Sequence, residues 1–256
     1  MARKFPAIHL AVDGDRCRGT RQLTSPQGAT DTEVILLDDA FQHRSIRPGI
    51  NLLVTDHARP FWRDHVVPFG RLREPRSGFR RADMILLSKC PRGLSAEERT
   101  RMEKALQLPE GQRLYCSTLS YGRPYGIFDR SDPGDLSACG VIVACGIARP
   151  EPLLEHLRER CAEVALLRFA DHYYFTFTDL EKMQDALSQL SAPRRILITT
   201  EKDAVRLDLL KAEILRLGLP LFVLPVDIEI LFGEAPDFNQ RILDYVERSL
   251  SDALNP

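Results

Sequence analysis

Short aliphatic runs, each followed by a polar residue, recur along the first half of the chain. They are residues 34–37, 51–55 and 84–88, and the residues that follow them are Asp38, Asp56 and Lys89. Continuous apolar runs of this length are typical of strands buried on both faces of a parallel sheet. Ligands of open parallel sheets bind beyond the carboxyl ends of the strands. The pattern therefore predicts an α/β fold with a polar, functional sheet edge.

The pattern also predicts helices and a second α/β unit. Residues 95–106 begin with Ser95 and carry Glu97 and Glu98 in the first turn, which indicates a capped helix. The second unit is predicted from a helix at 150–160 and strands at 141–146, 165–169, 196–200 and 221–225. Turn-forming residues at 131–135 separate the two units. We therefore predict domains at 1–134 and 135–256, with an amphipathic helix at 238–250 packing back on the core.

Composition is that of an ordinary globular protein. The chain has 256 residues, 44% hydrophobic and 28% charged, with a net charge of -1, so no global field attracts nucleic acid. Its six cysteines show neither C-x-x-C pairing nor metal-ligand spacing, which predicts reduced thiols without a disulfide framework or a zinc site. No apolar run approaches the roughly 18 residues of a transmembrane helix, and no signal-peptide apolar region is present.

The adjacent carboxylates of Asp38 and Asp39 open the segment DDAFQHR, residues 38–44. Carboxylates at a strand end are suited to hold Mg²⁺ in a nucleotide enzyme. The alternative is ordinary turn and helix-cap chemistry, for which aspartate is common. The donors Gln42, His43 and Arg44 favour the functional interpretation, since a cap requires no such cluster behind it.

A second polar segment runs from Arg71 to Arg81. It holds five arginines, at positions 71, 73, 76, 80 and 81, against one acid, Glu74. Guanidinium groups bind phosphate in a bidentate manner, so the segment predicts a local anion site in a neutral protein. A solvated helix face with charge pairing is the alternative.

Five motifs in order carry a resemblance to a known family. They are DDAFQHR at 38–44, GRLREP at 70–75, RRAD at 80–83, DHYYFT at 171–176 and TTEKDAVRL at 199–207. In this order they resemble the tetraacyldisaccharide 4'-kinases of lipid A biosynthesis. The resemblance implies a P-loop-NTPase-like parallel sheet core, with its N-terminal part missing here, and a second, smaller α/β domain. It also implies transfer of the ATP γ-phosphate to the 4'-hydroxyl of a disaccharide 1-phosphate, on the cytoplasmic side of the inner membrane of a Gram-negative bacterium.

The resemblance assigns roles to eight residues. It implies Asp39 and Glu74 as Mg²⁺ ligands, Gln42 and Arg71 as substrate-binding residues, and a catalytic group made of Asp38, His43, Arg73 and His172. ATP, the lipid disaccharide and the membrane surface are the implied partners.

Two positions in the second unit keep alternative interpretations. In the family the histidine that matches His172 partners an aspartate as the base for the 4'-hydroxyl, whereas a lone histidine is more often structural. Residues 199–203 form either a second polar rim or a simple strand end at which Thr200 caps the next helix.

One departure of the chain from the family outweighs the others. The family's kinases begin with a P-loop, but no G-x-x-x-x-G-K-[S/T] motif occurs in this sequence. The G-D-E-P motif that supplies the dyad aspartate is also absent. We expect either a start codon assigned too late or a broken gene, and an inactive chain as written. A non-catalytic lipid-disaccharide-binding remnant is the alternative, and a phosphohydrolase is disfavoured because no hydrolase nucleophile motif is present.

Overall fold

The computed structural model describes residues 5–25, 28 and 32–254, with side chains to residue 251. Nine strands lie in the described residues: β1 Leu52–Asp56, β2 Met84–Ser88, β3 Arg113–Tyr121, β4 Tyr125–Gly126, β5 Cys139–Cys145, β6 Glu163–Arg168, β7 Arg194–Thr200, β8 Leu221–Leu224 and β9 Val226–Ile230. The α-helices of the same residues are α1 Arg16–Leu23, α2 Ala96–Leu106, α3 Glu151–Arg158, α4 Phe177–Gln189, α5 Glu201–Leu207, α6 Lys211–Arg216 and α7 Ala235–Leu254. Short 3₁₀ helices occur at Phe61–Arg63, Arg76–Arg81 and Asp208–Leu210.

The chain divides into two compact units. Unit 1 comprises Met1–Thr118 and Glu229–Pro256, and unit 2 comprises Leu119–Ile228. The division therefore falls at Thr118, and the predicted boundary after Gly134 lies within unit 2. Residues 119–134 join unit 2 because β4 pairs with β8 and because the N–H of Ile127 donates to the carbonyl of Leu221 at 3.2 Å.

Unit 1 is built on a four-stranded sheet in the order β1-β2-β3-β9, in which β2 is parallel to both β1 and β3. Strand β2 occupies the predicted residues 84–88, and all but its last residue are buried. Helix α2 has the predicted capping box, in which Ser95 and Glu98 exchange side-chain and backbone hydrogen bonds. Helix α7 packs on this sheet, where Tyr115 donates to Asp237 at 2.5 Å and contacts the ring of Phe238.

The predicted strand at 34–37 is wrong. These residues are irregular, and the side chains of Val34 and Leu36 are 49% and 89% exposed. A buried strand needs hydrogen-bonded neighbours, but β1 ends the sheet on this side and pairs only with β2 among the described residues. Asp38 and Asp39 consequently lie on an exposed turn and not at a strand end.

Unit 2 is built on a five-stranded sheet in the order β4-β8-β7-β5-β6. All pairs are parallel except β4 with β8. Alternate residues of the fully buried β5 face two hydrophobic clusters: Ile142 packs in the cluster of α4, and Val143 packs in the cluster of α3. A sheet with helices on both faces leaves the carboxyl ends of β5, β6 and β7 together at one edge.

No helix in the described residues combines the length and the apolar character needed to cross a membrane.

Candidate active site

In unit 1, two segments that are distant in sequence meet at the carboxylate of Glu74. Nη2 of Arg81 donates to Oε1 of Glu74 at 2.5 Å, and Nη2 of Arg44 donates to Oε2 at 3.3 Å. The Glu74 side chain is only 19% exposed, so water screens these ion pairs in part. One carboxylate between two guanidinium groups thus joins the DDAFQHR and LREP segments.

Arg81 fixes the same loop through further contacts. Its guanidinium donates to the carbonyl oxygens of Phe41 and Gly78, each at 3.0 Å, and lies 4.2 Å above the centre of the Phe41 ring. Phe41 in turn packs against the hydrophobic cluster around β2. Sequence reasoning singled out Arg73 and missed this role of Arg81. The signal was its place directly before Ala82, where the chain enters the core.

A cavity of about 420 Å³ lies beside this cluster. Its lining includes the guanidinium-bearing residues Arg44, Arg80 and Arg81 together with Glu74. The single carboxylate is already paired with two of the three cations, so the cavity retains positive charge. Guanidinium groups bind phosphate oxygens by paired hydrogen bonds. The arrangement is therefore suited to a phosphate-bearing ligand.

The ion pairs change the titration of Glu74. The hydrogen bond from Arg81 lowers the pKa of Glu74 below its usual 4.5, burial opposes this effect, and Arg44 lowers the pKa further. A carboxyl whose pKa is lower in the folded state stabilises the fold above its unfolded pKa. That contribution is lost as the pH falls through the folded value.

We expect Glu74→Gln to be less stable than the wild type by about 1 kcal/mol at pH 7. The difference should shrink as the pH falls from about 4.5 through the lower folded-state pKa of Glu74, because the wild-type carboxyl is protonated first in the unfolded state and then in the folded state. Urea unfolding, followed by circular dichroism at several pH values, measures this difference in the free energy of unfolding. Glu110→Gln, at an exposed loop position, is the control. A difference that persists unchanged at acidic pH would assign the effect to side-chain shape and not to charge.

The other predicted residues of unit 1 lie on the same two sequence segments as this cluster. Asp38, Asp39, Gln42, Arg71 and Arg73 are exposed, and His43 is half-buried. Asp39 has φ 47°, in the left-handed region. The described residues contain no group of three or more His, Cys, Asp or Glu side chains able to enclose a metal ion.

In unit 2, the carboxyl edge of the sheet brings DHYYFT and TTEKDAVRL together. Asp171 and His172 follow β6, and Lys202 and Arg206 lie on α5, directly after β7. Nζ of Lys202 donates to the carboxylate of Asp171 and lowers its pKa. His172 lies between Asp171 and Arg206, with Nε2 3.8 Å from Oδ2 of Asp171 and Nδ1 3.0 Å from Nη2 of Arg206. Its φ of 58° is also left-handed.

Asp203 is the buried centre of this edge. Its side chain is fully buried, and Oδ2 accepts hydrogen bonds from the backbone N–H of Gly146 at 2.9 Å and from Oγ1 of Thr200 at 2.8 Å. A Cβ at Gly146 would lie 2.4 Å from the carbonyl oxygen of Ala170, so only glycine fits there. Thr200 caps α5 by accepting from the Asp203 N–H, as one of the two interpretations predicted.

A chain of contacts leads from this buried carboxylate to His172. Oδ1 of Asp203 faces Nη1 of Arg206 at 3.4 Å, and the other terminal nitrogen of Arg206 reaches His172. Sequence reasoning missed Arg206. The available signal was its spacing of three residues from Asp203 on a helix, which places both side chains on one face.

We expect His172 to be held in one tautomer. Arginine has no lone pair to offer, so Nδ1 of His172 must accept and the neutral ring must carry its proton on Nε2. Long-range ¹H–¹⁵N correlation spectra at pH 8, assigned with His172→Gln, should show an unprotonated Nδ1. Arg206→Ala should shift the ring toward a mixture of tautomers, whereas Arg216→Ala, an exposed arginine on α6, should not. An Nδ1-protonated wild-type ring would contradict the contact.

Comparisons with known proteins agree with the motifs. The family model for tetraacyldisaccharide-1-P 4'-kinase matches residues 1–247. A tetraacyldisaccharide 4'-kinase of Phocaeicola vulgatus is 37% identical over 253 residues, covering 97% of this chain and 69% of that protein. The proteins of the same name from Bacteroides thetaiotaomicron and Flavobacterium johnsoniae are 36% and 34% identical to this chain. Each match covers 97% of this chain, and the matches cover 68% and 69% of the two relatives, respectively.

Among solved structures, LpxK from Aquifex aeolicus, crystallised with ATP, matches with a TM-score of 0.50 and 21% identity. The match covers 82% of this chain and 56% of that one, and it supports the predicted α/β fold. The sequence relatives establish more than the fold, since the family model spans nearly the whole chain. The chain belongs to the tetraacyldisaccharide-1-P 4'-kinase family.

Proposed function

We propose that the protein transfers the γ-phosphate of ATP to the 4'-hydroxyl of a tetraacyldisaccharide 1-phosphate and so forms lipid IVA. The observation that carries the proposal is membership of a kinase family over residues 1–247. The cationic cavity beside Arg44, Arg80 and Arg81 supports it, because phosphoryl transfer depends on neutralising phosphate charge. The acyl chains of such a substrate place the reaction at a membrane surface, for which we propose the cytoplasmic face of the inner membrane.

In this proposal the arginines around the cavity bind phosphate groups. Arg73 stabilises charge on the transferring phosphoryl group, and Arg71 and Gln42 bind substrate. All three side chains are exposed and therefore accessible to a ligand. Arg81 and Arg44 position the loop that carries Gln42, since both bind Glu74.

Mg²⁺ would be held by Asp39, with the carboxylate of Asp38 beside it. Hard carboxylate oxygens suit this ion, which keeps several waters and needs few protein ligands, and these two carboxylates are adjacent and exposed. Both oxygens of Glu74 face guanidinium groups, so we assign it a water-mediated contact with the ion. When bound, Mg²⁺ supplies charge neutralisation at the phosphates.

Proton transfer is assigned to His172 together with an aspartate, as in the family. With Nδ1 engaged by Arg206, His172 presents Nε2–H and acts as a hydrogen-bond donor that orients the accepting aspartate. His43, half-buried on the DDAFQHR loop, contributes a further donor near the phosphates.

The test is ³²P transfer from ATP to a tetraacyldisaccharide 1-phosphate. Because the match covers only 69% of the Phocaeicola vulgatus relative, the assay uses this chain joined to the remaining part of that relative, alongside the 256-residue chain. We expect Mg²⁺-dependent transfer by the joined protein, and a loss of about 10²-fold or more in kcat for Asp39→Asn. Asp185→Asn, at an exposed position on α4, should leave kcat unchanged.

Two results would contradict the proposal. Binding of the disaccharide by the joined protein without any transfer would favour the alternative, a non-catalytic binding module. Unchanged turnover of Asp39→Asn at saturating Mg²⁺ would remove Asp39 from the metal site.

A further inference from the structure

Two charged side chains at the carboxyl edge of the unit 1 sheet are not among the residues of the candidate active site. Asp56 ends β1 and Lys89 follows β2, and these strands are parallel neighbours in which Asp56 is paired with Ser88. The two side chains therefore meet, with Nζ of Lys89 2.9 Å from Oδ2 of Asp56. Ligands of open parallel sheets bind at this edge.

The backbone holds this edge in a defined form. The N–H of His57 donates to the carbonyl of Ser88 at 2.9 Å, and Oδ1 of Asp56 accepts from the N–H of Ala58 at 2.9 Å. Lys89 has φ 57°, a left-handed conformation that is unfavourable for a residue with a Cβ and that recurs at ligand-binding sites. The carboxylate is thus fixed and the ammonium lies against it, and the two side chains are 27% and 48% exposed.

A third polar group lies on the next strand. Leu87 of β2 is paired with Cys116 of β3, and Ser117 is the next residue. Ser117 therefore lies level with Ser88 and Asp56 across the sheet. It is only 1% exposed, and its hydroxyl has no hydrogen-bond partner within the described part of the chain. An unpaired buried hydroxyl is unfavourable, so this edge offers a further polar group to a ligand.

The charges at this edge select the kind of ligand. The carboxylate of Asp56 offsets the ammonium of Lys89, so the pair attracts a phosphate group far less than the arginines of the cavity do. Both groups keep hydrogen-bonding capacity when they are paired, because an ammonium has several donors and a carboxylate has several acceptor sites. A neutral ligand that presents a donor beside an acceptor therefore fits the pair. The Watson–Crick edge of adenine has this form, with its 6-amino group beside the ring nitrogen N1.

We propose that Asp56 and Lys89 bind the adenine base of the phosphate donor, with Asp56 accepting from the 6-amino group and Lys89 donating to N1. The inference rests on the proposed function, which takes ATP as the donor. Both residues belong to unit 1, as do the arginines of the cavity. The pair contributes to donor specificity and not to the chemical step, because the base does not change during phosphoryl transfer.

Donor specificity tests the contact from Asp56. In the joined protein, purine riboside triphosphate, which lacks only the 6-amino group, should have a kcat/KM about tenfold or more below that of ATP, the loss expected for one hydrogen bond to a charged group. Asp56→Ala should raise KM for ATP, leave kcat nearly unchanged and abolish this preference. Asp132→Ala is the matched control and should keep the preference. Asp132 likewise accepts from the N–H two residues further on, at 2.8 Å, and pairs with a cation, Arg123, at 2.8 Å.

A binding measurement is independent of kinase activity. Adenosine at millimolar concentration should shift the amide signals of His57 and Lys89 in ¹H–¹⁵N spectra of the 256-residue chain, whereas ribose 5-phosphate, which has no base, should not. Asp56→Ala and Lys89→Met should each weaken adenosine binding about tenfold. Melting curves of both variants verify that they fold.

Three results would overturn the inference. They are equal use of the two triphosphates by the wild type, a preference for ATP that survives Asp56→Ala, and the absence of adenosine-induced shifts at the two amides. An inactive joined protein would contradict the proposed function alone, and the adenosine titration would still decide whether this edge binds the base.

Discussion

Asp203→Ala is expected to lower the free energy of unfolding by about 3–5 kcal/mol, the range for breaking a buried ion pair by removal of one partner. The fully buried carboxylate accepts from Gly146 and Thr200, and it faces Arg206, whose side chain is only 16% exposed. Its loss leaves a buried backbone N–H and a largely desolvated cation without their partner. Urea unfolding followed by circular dichroism measures the change.

The conservative variant separates charge from shape at this position. Asp203→Asn keeps an oxygen for Gly146 but loses the charge facing Arg206, so we expect a smaller loss of about 1–3 kcal/mol. Asp185→Asn, on the exposed face of α4, should change stability by no more than about 0.5 kcal/mol. A loss below about 1 kcal/mol for Asp203→Ala would show that the carboxylate is not the centre of this edge.

Arg81→Gln is expected to cost about 2 kcal/mol of stability and to release the DDAFQHR loop. Its guanidinium binds Glu74 and the Phe41 carbonyl and covers the Phe41 ring, and the side chain is 32% exposed, which moderates the loss. Hydrogen exchange should therefore accelerate at the amide of His43, which donates to Ala40 within this loop.

In the joined protein, the proposed kinase activity should fall as the protection of the His43 amide from exchange is lost, because Asp38 and Asp39 lie on the released loop. Arg80→Gln is the matched control: it removes an exposed neighbouring guanidinium and should leave exchange at His43 unchanged. If Arg81→Gln left that exchange unchanged as well, Phe41 packing alone would account for the order of the loop.

Local sequence signals correctly predicted those strands and helices that are determined mainly by their own residues. Residues 84–88 became β2 because an aliphatic run fills a sheet buried on both faces, and α2 formed behind its capping box at Ser95 and Glu98. The run at 34–37 has the same composition but no partner strand among the described residues, and strand pairing is a long-range property. The sequence could not reveal that difference.

The candidate site was predictable in location but not in detail. The motifs singled out Glu74, and its contact with Arg44 joins two segments that composition alone could not pair. Five arginines share a similar sequence context. The 3₁₀ helix Arg76–Arg81 and the strand after it determine that Arg81 is the one that turns inward. Arg206 was missed for a similar reason, since its contact with His172 spans 34 residues.

Under the proposed function, the left-handed backbone at Asp39 and His172 opposes folding stability to kinase activity. A non-glycine residue in this region costs about 1–3 kcal/mol, which glycine avoids. Selection for stability alone would therefore enrich glycine at both positions, whereas selection for phosphoryl transfer would keep the carboxylate and the imidazole. Comparing the two selections in one mutant library would measure how much folding free energy each residue gives up for its chemistry.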